Sequence, residues 1–295
     1  MINKLIFIII CLLSSEVYAA KILISKTVDH PAIDATTKGI IDGLAKGGYK
    51  NNNGSEIKVE SAQGNPSLAS QIASKFVSQN PDIVVGVATI SAQSFIKYTS
   101  KNLVKMIFST VTDPVAANLV RSIDAPCNNI SGVSNFVPLE PQLELFKKLQ
   151  PNLKRLGIIY NPSEINSVSM VKKLDLLCPK FSLTLIKQTI ANTADAAQKT
   201  AKLANSVDAI FISNDNTALA GLQSIIAVSN KAQIPVYVSD IDAVKLGGRA
   251  ALGPDQYEVG LQTAKMIIRV LNGEDINKMK VEFPDKTDLV MGDQK

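Results

Sequence analysis

The chain has 295 residues and a net charge of +5, a length that allows one large or two medium domains. Its lysines are scattered singly or in short pairs, and no basic stripe is interleaved with aromatic residues, so we expect no nucleic-acid partner. His30 is the only histidine, which excludes most histidine-based metal sites and makes a Ser-His-Asp triad depend on one residue.

The N-terminus has the pattern of a secretory signal peptide. Lys4 gives a positive start, Leu5–Leu13 is an uncharged apolar core, and small residues around Ala19 fit a cleavage site. The signal is therefore predicted to be residues 1–19. Its core is shorter than the roughly 20 residues of a membrane span, and Cys11 lacks the small residues that precede a lipoprotein cysteine. We expect an exported, periplasmic protein that is not a lipoprotein.

The first half of the mature chain alternates strands with helices. Its pattern predicts strands at Lys21–Ser25, Ile57–Ser61, Ile83–Val85 and Val104–Phe108, a helix at Ala32–Lys46 and another through Leu68 and Phe76. Short connections between alternating elements predict a parallel, doubly wound α/β sheet. Ligands of such sheets bind beyond the carboxyl ends of the strands, and in this sequence polar clusters follow the strands at those ends.

The second half repeats this architecture after a loose section, Ser122–Pro141, which we interpret as a crossing between two lobes. The predicted elements that follow are helix Gln142–Leu149, strand Arg155–Tyr160, a helix to about Cys178, strand Ser182–Lys187, helix Ala194–Ala204, strand Ala209–Ile212, a helix to about Asn230, strands Pro235–Val238 and Ala250–Leu252, helix Glu258–Leu271 and a short strand near Leu289. Two similar lobes would face each other across a cleft. No dinucleotide, phosphate-loop or G-x-S-x-G motif occurs, so we expect no cofactor and no acyl-transfer chemistry.

The stretch Asp82–Phe95 joins a buried apolar strand to a helix through the small hydroxyl residues Thr89 and Ser91. The first amides of such a helix are free, and its dipole favours an anion. The stretch is consistent with a carboxylate site, and the alternative is an ordinary Ser or Thr N-cap, which is the default at most helix starts. The polar pair Asn166-Ser167 stands at another predicted helix start, and Asn214–Asn216 follows a strand of the second half.

Six strings, in order, carry a family resemblance over essentially the whole mature chain. They are HPAIDATTKGIIDGL (30–44), VGVATISAQS (85–94), FSTVTDPVAANLV (108–120), IIYNPSEINSV (158–168), FISNDNTALAGL (211–222) and VSDIDAVKLGGRAALG (238–253). The chain resembles the substrate-binding proteins of ABC transporters, in particular the members that bind tryptophan or phenylalanine. The resemblance implies the type I periplasmic-binding fold, in which two doubly wound parallel-sheet lobes, joined by a three-strand hinge, close over the ligand.

The resemblance also implies lobe limits and a set of ligand-facing residues. The first lobe would comprise residues 20–133 and 254–278, and the second residues 134–253 and 279–295. The predicted ligand-binding residues are Thr89, Ser91, Thr110, Thr112 and Asp113 in the first lobe, and Asn161, Glu164, Asn166, Ser167, Asn214, Asp215, Asn216 and Asp240 in the second.

The chemistry of an amino acid suggests roles within this set. An α-amino acid presents a carboxylate, an ammonium and a side chain, and burying either charge without a partner is costly. Hydroxyls and amides at residues 89–91, with Asn166 and Ser167, suit the carboxylate. Asp215 or Asp240 suits the ammonium because an ionised carboxylate is an acceptor only.

Several candidates also have structural interpretations. Asp113 precedes Pro114, a pair typical of a turn, and Glu164 early in a helix favours the helix dipole. Asp240 and Asp242 look like a metal pair, but no third ligand is near in sequence, so we expect capping and one ligand contact. His30 is interpreted as a capping or lid residue.

Phe136 and Tyr257 are candidates for an aromatic wall on the ligand side chain, with core or hinge packing as the alternative. Cys127 and Cys178 are the two cysteines outside the predicted signal, and whether they form a disulfide is left open.

The leading functional prediction is a monomeric receptor, without enzymatic activity, that closes on an amino acid and hands it to the membrane permease of an ABC importer. An aromatic ligand is favoured. The alternative is the same receptor class binding a sugar, a nucleoside or another small polar solute, although a chain without Trp is poorly equipped to stack sugars. A secreted α/β hydrolase is a more remote alternative. A two-lobed sugar-responsive regulator would need a helix-turn-helix at the N-terminus.

Overall fold

A computed structural model describes residues 19–292, so the predicted signal peptide lies, except for Ala19, outside the described residues. The first sheet has five parallel strands in the order β2-β1-β3-β4-β5. These strands and the helices between them are β1 (Lys21–Lys26), α1 (Pro31–Lys46), β2 (Glu56–Ser61), α2 (Pro66–Val77), β3 (Ile83–Val87), α3 (Thr89–Gln93), α4 (Ile96–Thr99), β4 (Met106–Ser109) and β5 (Ile130–Val133).

The second sheet has six strands, of which only the last along the chain is antiparallel to its neighbour. Its order is β11-β10-β9-β8-β6-β7. The elements are α5 (Leu139–Leu149), β6 (Arg155–Tyr160), α6 (Ile165–Leu177), β7 (Thr184–Thr189), α7 (Ala196–Ala204), β8 (Ala209–Ile212), α8 (Asn216–Ala220), α9 (Leu222–Lys231), β9 (Val236–Val238), β10 (Ala250–Gly253), α10 (Gln256–Leu271) and β11 (Asp288–Met291). The predicted pair of doubly wound α/β lobes is confirmed.

Three elements differ from their predictions. The loose section Ser122–Pro141 contains β5, a four-residue strand whose Gly132 lies so close to β4 that an added Cβ would be 2.3 Å from the Phe108 carbonyl oxygen. The helix predicted to run to about Asn230 is divided at Gly221 into α8 and α9. α3 is only five residues long and is followed by the separate short helix α4.

The chain crosses between the lobes three times, which gives the predicted three-strand hinge. The crossings follow β5, β10 and residue 282, where Glu282 forms a parallel bridge with Val133 before the chain enters β11. Between the second and third crossings, α10 packs on the first sheet, and its Ile267 shares a core cluster with Ile24 of β1. The residue at which each lobe begins and ends stays a prediction.

α10 and α1 approach each other closely through paired glycines. A Cβ on Gly39 would lie 2.1 Å from the Tyr257 carbonyl oxygen, and one on Gly260 would lie 2.2 Å from the Thr36 carbonyl oxygen. Backbone atoms cannot move aside as a flexible side chain can, so only glycine fits at these two positions. The contact fixes the start of α10 beside the start of α1.

Several further features bear on function. No helix in the described part of the chain combines the length and apolar character of a membrane span. Within residues 19–292, no group of three or more His, Cys, Asp or Glu side chains could hold a metal ion. Cys127 and Cys178 are free, and burial raises the pKa of the Cys178 thiol to about 11. That thiol is therefore protonated at neutral pH.

Candidate functional site

A cavity lies between the lobes, at the carboxyl ends of both sheets. This is where a doubly wound sheet binds its ligand. The first-lobe side and the start of α10 contribute His30, Ala32, Ile33, Thr89, Thr110, Thr112 and Gln256, the first crossing contributes Asn135, and the second lobe contributes Asn166, Asn214, Asn216, Leu219 and Asp240. We call this set the cleft cavity.

Seven of the predicted ligand-binding residues line the cleft cavity: Thr89, Thr110, Thr112, Asn166, Asn214, Asn216 and Asp240. The structure does not bring the other six into its lining, namely Ser91, Asp113, Asn161, Glu164, Ser167 and Asp215. Asn161 and Glu164 instead line a neighbouring hollow of about 470 Å³. For the lining residues, contact with a ligand stays a prediction.

Ser91 is fully buried and turned towards the sheet. Its hydroxyl accepts a hydrogen bond from Ser25 Oγ at 3.1 Å, and its backbone N–H donates to Thr27 Oγ1 at 3.1 Å. Side chains two residues apart on a helix point to nearly opposite sides. Thr89 therefore faces the cleft while Ser91 fastens α3 to β1.

The wall of the first lobe combines hydroxyls with strained backbone. Ala88 and Thr110 directly follow the adjacent parallel strands β3 and β4 and have φ angles of 64° and 53°. Such conformations cost about 1–3 kcal/mol each in non-glycine residues and are concentrated at functional sites. The Ala88 N–H donates to the Ser109 carbonyl at 2.9 Å, which ties the two strand ends together. The first two amides of α3 and the Thr89 hydroxyl then form a surface of hydrogen-bond donors, whereas the Thr112 hydroxyl donates to Asn135 Oδ1 at 3.1 Å.

The position of α3 depends on Gly86. A Cβ at this residue would lie 2.5 Å from the Cα of Ala92, so only glycine allows the helix to fold back onto β3. This close contact holds Thr89 at the cleft cavity.

Asp240 places a buried acceptor in the wall of the second lobe. Asp240 is 3% exposed and accepts a hydrogen bond from the Asp242 N–H at 3.2 Å. No Lys, Arg or His of residues 19–292 forms a salt bridge with it. Burial first, and the nearby charge of Asp242 second, raise the pKa of the Asp240 carboxyl to about 7. Asp240 is thus a buried acid without a cationic partner, facing the cavity.

Asn166 adds a second acceptor. Its Nδ2 donates to the Asn214 carbonyl oxygen at 2.7 Å, which identifies the opposite atom of the amide as Oδ1. That oxygen is buried and has no hydrogen-bond partner. A lone acceptor suits a ligand ammonium better than the carboxylate that the sequence suggested for this residue.

Behind this wall, two buried carboxylates organise the loops that follow β6 and β8. Asp215 accepts from the Ala218 N–H at 2.7 Å as the N-cap of α8, and from the Asn161 N–H at 2.6 Å. Burial first, and then the negative charge of Glu164, raise the pKa of the Asp215 carboxyl, although these donors oppose the shift. Asp215 therefore holds the loops together from inside the second lobe, and Ser167 bonds to it there.

His30 lines the cleft cavity from the N-cap of α1. It forms a hydrogen bond with Asn216, and burial lowers its pKa to about 4, so the ring is neutral at pH 7. Its Nε2 atom is buried without a partner. The sequence indicated a capping or lid residue, and no side-chain capping bond is formed.

The other lining residues that sequence reasoning missed carry weak signals. Ile33 and Leu219 are apolar helix residues, which the sequence alone cannot separate from core residues. The two aromatic candidates do not line the cavity. The Tyr257 hydroxyl donates to Asp42 at 2.9 Å. The Lys173 ammonium lies over the Phe136 ring, with Nζ 4.4 Å from the ring centroid.

Asp113 joins the lobes instead of lining the cavity. Its Oδ2 accepts from Ser169 Oγ at 2.5 Å and from Lys173 Nζ at 3.0 Å, and both donors lie on α6 of the second lobe. Although burial acts in the opposite direction, Ser169, the Ala116 N–H and Lys173 hold the pKa of Asp113 below its usual value. We call Asp113, Ser169 and Lys173 the interlobe latch.

We expect the double variant Ser169→Ala, Lys173→Gln to favour the open arrangement of the lobes. Losing these contacts, worth about 1 kcal/mol, raises the ligand dissociation constant about fivefold, because fewer molecules are closed before binding. Small-angle X-ray scattering of the ligand-free protein should show a larger radius of gyration. Lys187→Gln breaks an ion pair with Asp175 inside the second lobe and serves as control. An unchanged radius and affinity in the double variant would contradict the role of the latch.

Comparisons with known proteins agree with this architecture. The family model for the ABC transporter substrate binding protein matches residues 21–294. A tyrosine-binding protein of Clostridioides difficile is 32% identical over 270 residues, which cover 92% of this chain and 78% of that protein.

Solved structures extend the comparison. A conserved domain protein of Vibrio cholerae superimposes with a TM-score of 0.90 at 38% identity, covering 93% of this chain and 92% of the other. An ABC domain from Streptococcus pneumonia in complex with L-Trp gives a TM-score of 0.88 at 33% identity with the same coverage. A ligand-free, open substrate-binding protein from Clostridium difficile gives a TM-score of 0.69 at 32% identity, covering 92% of each chain.

The resemblance drawn from the six sequence strings is therefore confirmed. Two hinged α/β lobes, a polar cavity between them and a family match over residues 21–294 lead to one conclusion. The chain belongs to the ABC transporter substrate-binding protein family.

Proposed function

We propose that this protein is an exported receptor that captures an aromatic α-amino acid between its lobes and delivers it to the permease of an ABC importer. The observation that carries the proposal is that the buried Asp240 carboxyl, without a cationic partner, and the unpartnered Asn166 Oδ1 belong to residues that line the same cavity. A buried acid needs a cationic partner, and a ligand ammonium supplies one. The hydroxyls and amides around Thr89 across the cavity are donors for the ligand carboxylate.

The ligand side chain would occupy the apolar part of the cavity. Ala32, Ile33 and Leu219 provide this surface, as small-molecule sites are typically lined by apolar side chains around a few polar groups. The aromatic class is supported by two relatives, one named as tyrosine-binding and the other solved with L-Trp. The cavity itself offers aliphatic contact, and its lining residues include no Phe, Tyr or Trp.

The arrangement of the lobes supports capture by closure. At almost the same sequence identity, the chain superimposes far better on the L-Trp complex than on the ligand-free, open relative, with TM-scores of 0.88 and 0.69. A ligand that contacts both walls favours the closed arrangement, because only that state allows all of its bonds.

The proposal includes export by the predicted signal, the predicted lobe limits and action as a monomer without catalysis. The lack of catalysis is supported by His30, which bonds to Asn216 rather than to a hydroxyl or thiol. Hydrolases of the Ser-His type need such a nucleophile beside the base.

Isothermal titration calorimetry of the mature chain, unfolded and refolded to remove carried ligand, tests the function. We expect at least one of tryptophan, tyrosine and phenylalanine to bind with a micromolar or lower dissociation constant. A sugar and a nucleoside serve as comparison ligands. If no amino acid binds below about millimolar, the proposal is wrong.

Affinity should also depend on pH through Asp240. Its pKa of about 7 in the free protein falls when an ammonium binds beside it, so binding below neutral pH releases a proton. We expect the affinity to weaken by up to about tenfold for each pH unit below 7. His30 stays neutral over this range because its pKa is about 4.

Calorimetry in two buffers with different ionisation enthalpies would count the released protons. The substitution Asp240→Asn should remove most of the dependence, since it leaves no acid to titrate. Proton uptake by the wild-type protein on binding would contradict this expectation.

A further inference from the structure

Glu164 collects an unusual number of hydrogen bonds for a carboxylate that does not line the cleft cavity. It is 1% exposed. Its Oε1 accepts from the N–H and hydroxyl of Thr217, at 2.9 and 2.7 Å. Its Oε2 accepts from the Asn216 N–H at 3.0 Å, from Asn216 Nδ2 at 2.6 Å and from Asn166 Nδ2 at 3.3 Å. Every donor belongs to the loops that build the second-lobe wall.

These bonds decide which end of each amide faces away from Glu164. A side-chain amide has one donor end and one acceptor end. Asn216 commits its donor end to Glu164 at 2.6 Å, and Asn166 shares its donor end between Glu164 at 3.3 Å and the Asn214 carbonyl oxygen at 2.7 Å. The acceptor end of Asn166 is then the buried, unpartnered Oδ1 atom in the cavity wall. The acceptor end of Asn216 is the atom left to accept from His30.

We propose that Glu164 is a positioning residue that holds the donor ends of Asn166 and Asn216 away from the cavity, leaves Asn166 Oδ1 as an acceptor and thereby selects ligands that carry an ammonium group. Glu164 acts through Asn166 and Asn216 and does not contact the ligand. A carboxylate is required because it offers only acceptors to all of these donors. A neutral amide at this position would present its own N–H₂ to one pair of donors.

The buried acceptors of Asp240 and Asn166 have a direct consequence for specificity. An ammonium supplies three donors, whereas the hydroxyl of an α-hydroxy acid supplies one and carries no charge. Replacing the amine by a hydroxyl leaves buried acceptors unpaired, and sites built on such bonds reject the analogue by roughly a hundredfold or more. This inference rests on the proposed function, because it assumes an amino acid in the cavity.

The test compares an amino acid with its α-hydroxy acid analogue by calorimetry, for example phenylalanine with phenyllactate. The quantity measured is the ratio of the two dissociation constants. We expect Glu164→Gln to lower the wild-type preference for the amine by about tenfold, because one or both asparagines can then turn a donor towards the ligand. A purely structural effect would weaken both ligands equally and leave the ratio unchanged.

Asp215→Asn provides the comparison for structural damage. Asp215 is equally buried and belongs to the same network, but it bonds to Asn161, Ser167 and Ala218 and to neither cavity asparagine. We expect this variant to be less stable and to keep the wild-type ratio. A lowered ratio in this variant, equal to that of Glu164→Gln, would overturn the specific role of Glu164.

Asn166→Ala keeps the inference testable if Glu164→Gln does not fold, since Glu164 retains its four bonds to Asn216 and Thr217. The Asn166→Ala variant should lower the ratio of the two dissociation constants, because it removes the Asn166 Oδ1 acceptor. An unchanged ratio in folded Glu164→Gln or in Asn166→Ala would overturn the inference while the function stands. Failure of the wild-type protein to bind any amino acid would instead reject the proposed function.

Discussion

Replacing Asp240 by Asn is expected to weaken amino acid binding by about 2–5 kcal/mol, which is roughly thirtyfold or more. The carboxylate is 3% exposed and has no cationic partner within residues 19–292, so a ligand ammonium would be its only counter-charge. Asparagine keeps the shape but removes the charge, and its N–H₂ group would oppose the ammonium. Calorimetry with the best-binding amino acid measures the loss.

The same substitution should stabilise the ligand-free protein. Folding raises the pKa of Asp240 from 3.8 to about 7, so the folded state holds a proton that the unfolded state has lost between these values. The wild-type protein therefore loses stability through this group as pH rises from about 4 to about 7, and Asp240→Asn does not. Thermal unfolding of both proteins at about pH 5 and pH 8 should show an advantage for the variant that grows with pH.

Asp242→Asn is the matched control, because Asp242 lies in the same loop and pairs with the exposed Lys245 at 2.7 Å. Its backbone N–H, which bonds to Asp240, is unaffected. We expect an affinity within about threefold of the wild type, as for most exposed ion pairs. If Asp240→Asn bound as tightly as this control, the ammonium role of Asp240 would be wrong.

The fold was readable from sequence because its signals are local and repeated. Buried strands such as β3 are continuous apolar runs, and α1 has a one-sided apolar face behind Pro31. The strand β5 was missed because four residues containing Ser and Gly have little strand propensity. Its pairing with β4 depends on the close contact at Gly132. That contact joins residues distant in sequence, so no local pattern predicts it.

The site was readable only in part, because polar residues at strand ends can face the cavity or bond to each other. Asp215 looks like a ligand group in sequence, yet its N-cap geometry bends the side chain back over α8. Asn214 and Asn216, on either side of it, line the cavity. Which of three consecutive polar side chains faces a ligand is set by the backbone turn, and no periodicity predicts it.

The second large effect concerns the helix contact that supports the cavity from behind. We expect Gly39→Ala to destabilise the protein by about 3 kcal/mol, because its Cβ would lie 2.1 Å from the Tyr257 carbonyl oxygen and 3.0 Å from the Gly260 Cα. Intrinsic helix propensity acts in the opposite direction and would stabilise an alanine by about 1 kcal/mol. A measured loss would therefore show that the close contact outweighs propensity. Urea unfolding followed by circular dichroism gives the free energy.

Gly47→Ala, at the end of the same helix, separates this contact from a general intolerance of alanine. Its Cβ would lie 2.3 Å from Ile268 Cδ1, the mobile end of a side chain, while Ile268 Cγ1 and the Leu44 carbonyl oxygen would be 3.3 and 3.4 Å away. Its φ of −80° suits any residue. We expect a change within about 1 kcal/mol. Gly39→Ala should also weaken ligand binding, since moving α1 from α10 displaces His30 and Gln256 in the cavity wall. Equal stabilities of the two variants would mean that α1 and α10 can separate freely. The prediction that their contact supports the cavity rigidly would then be wrong.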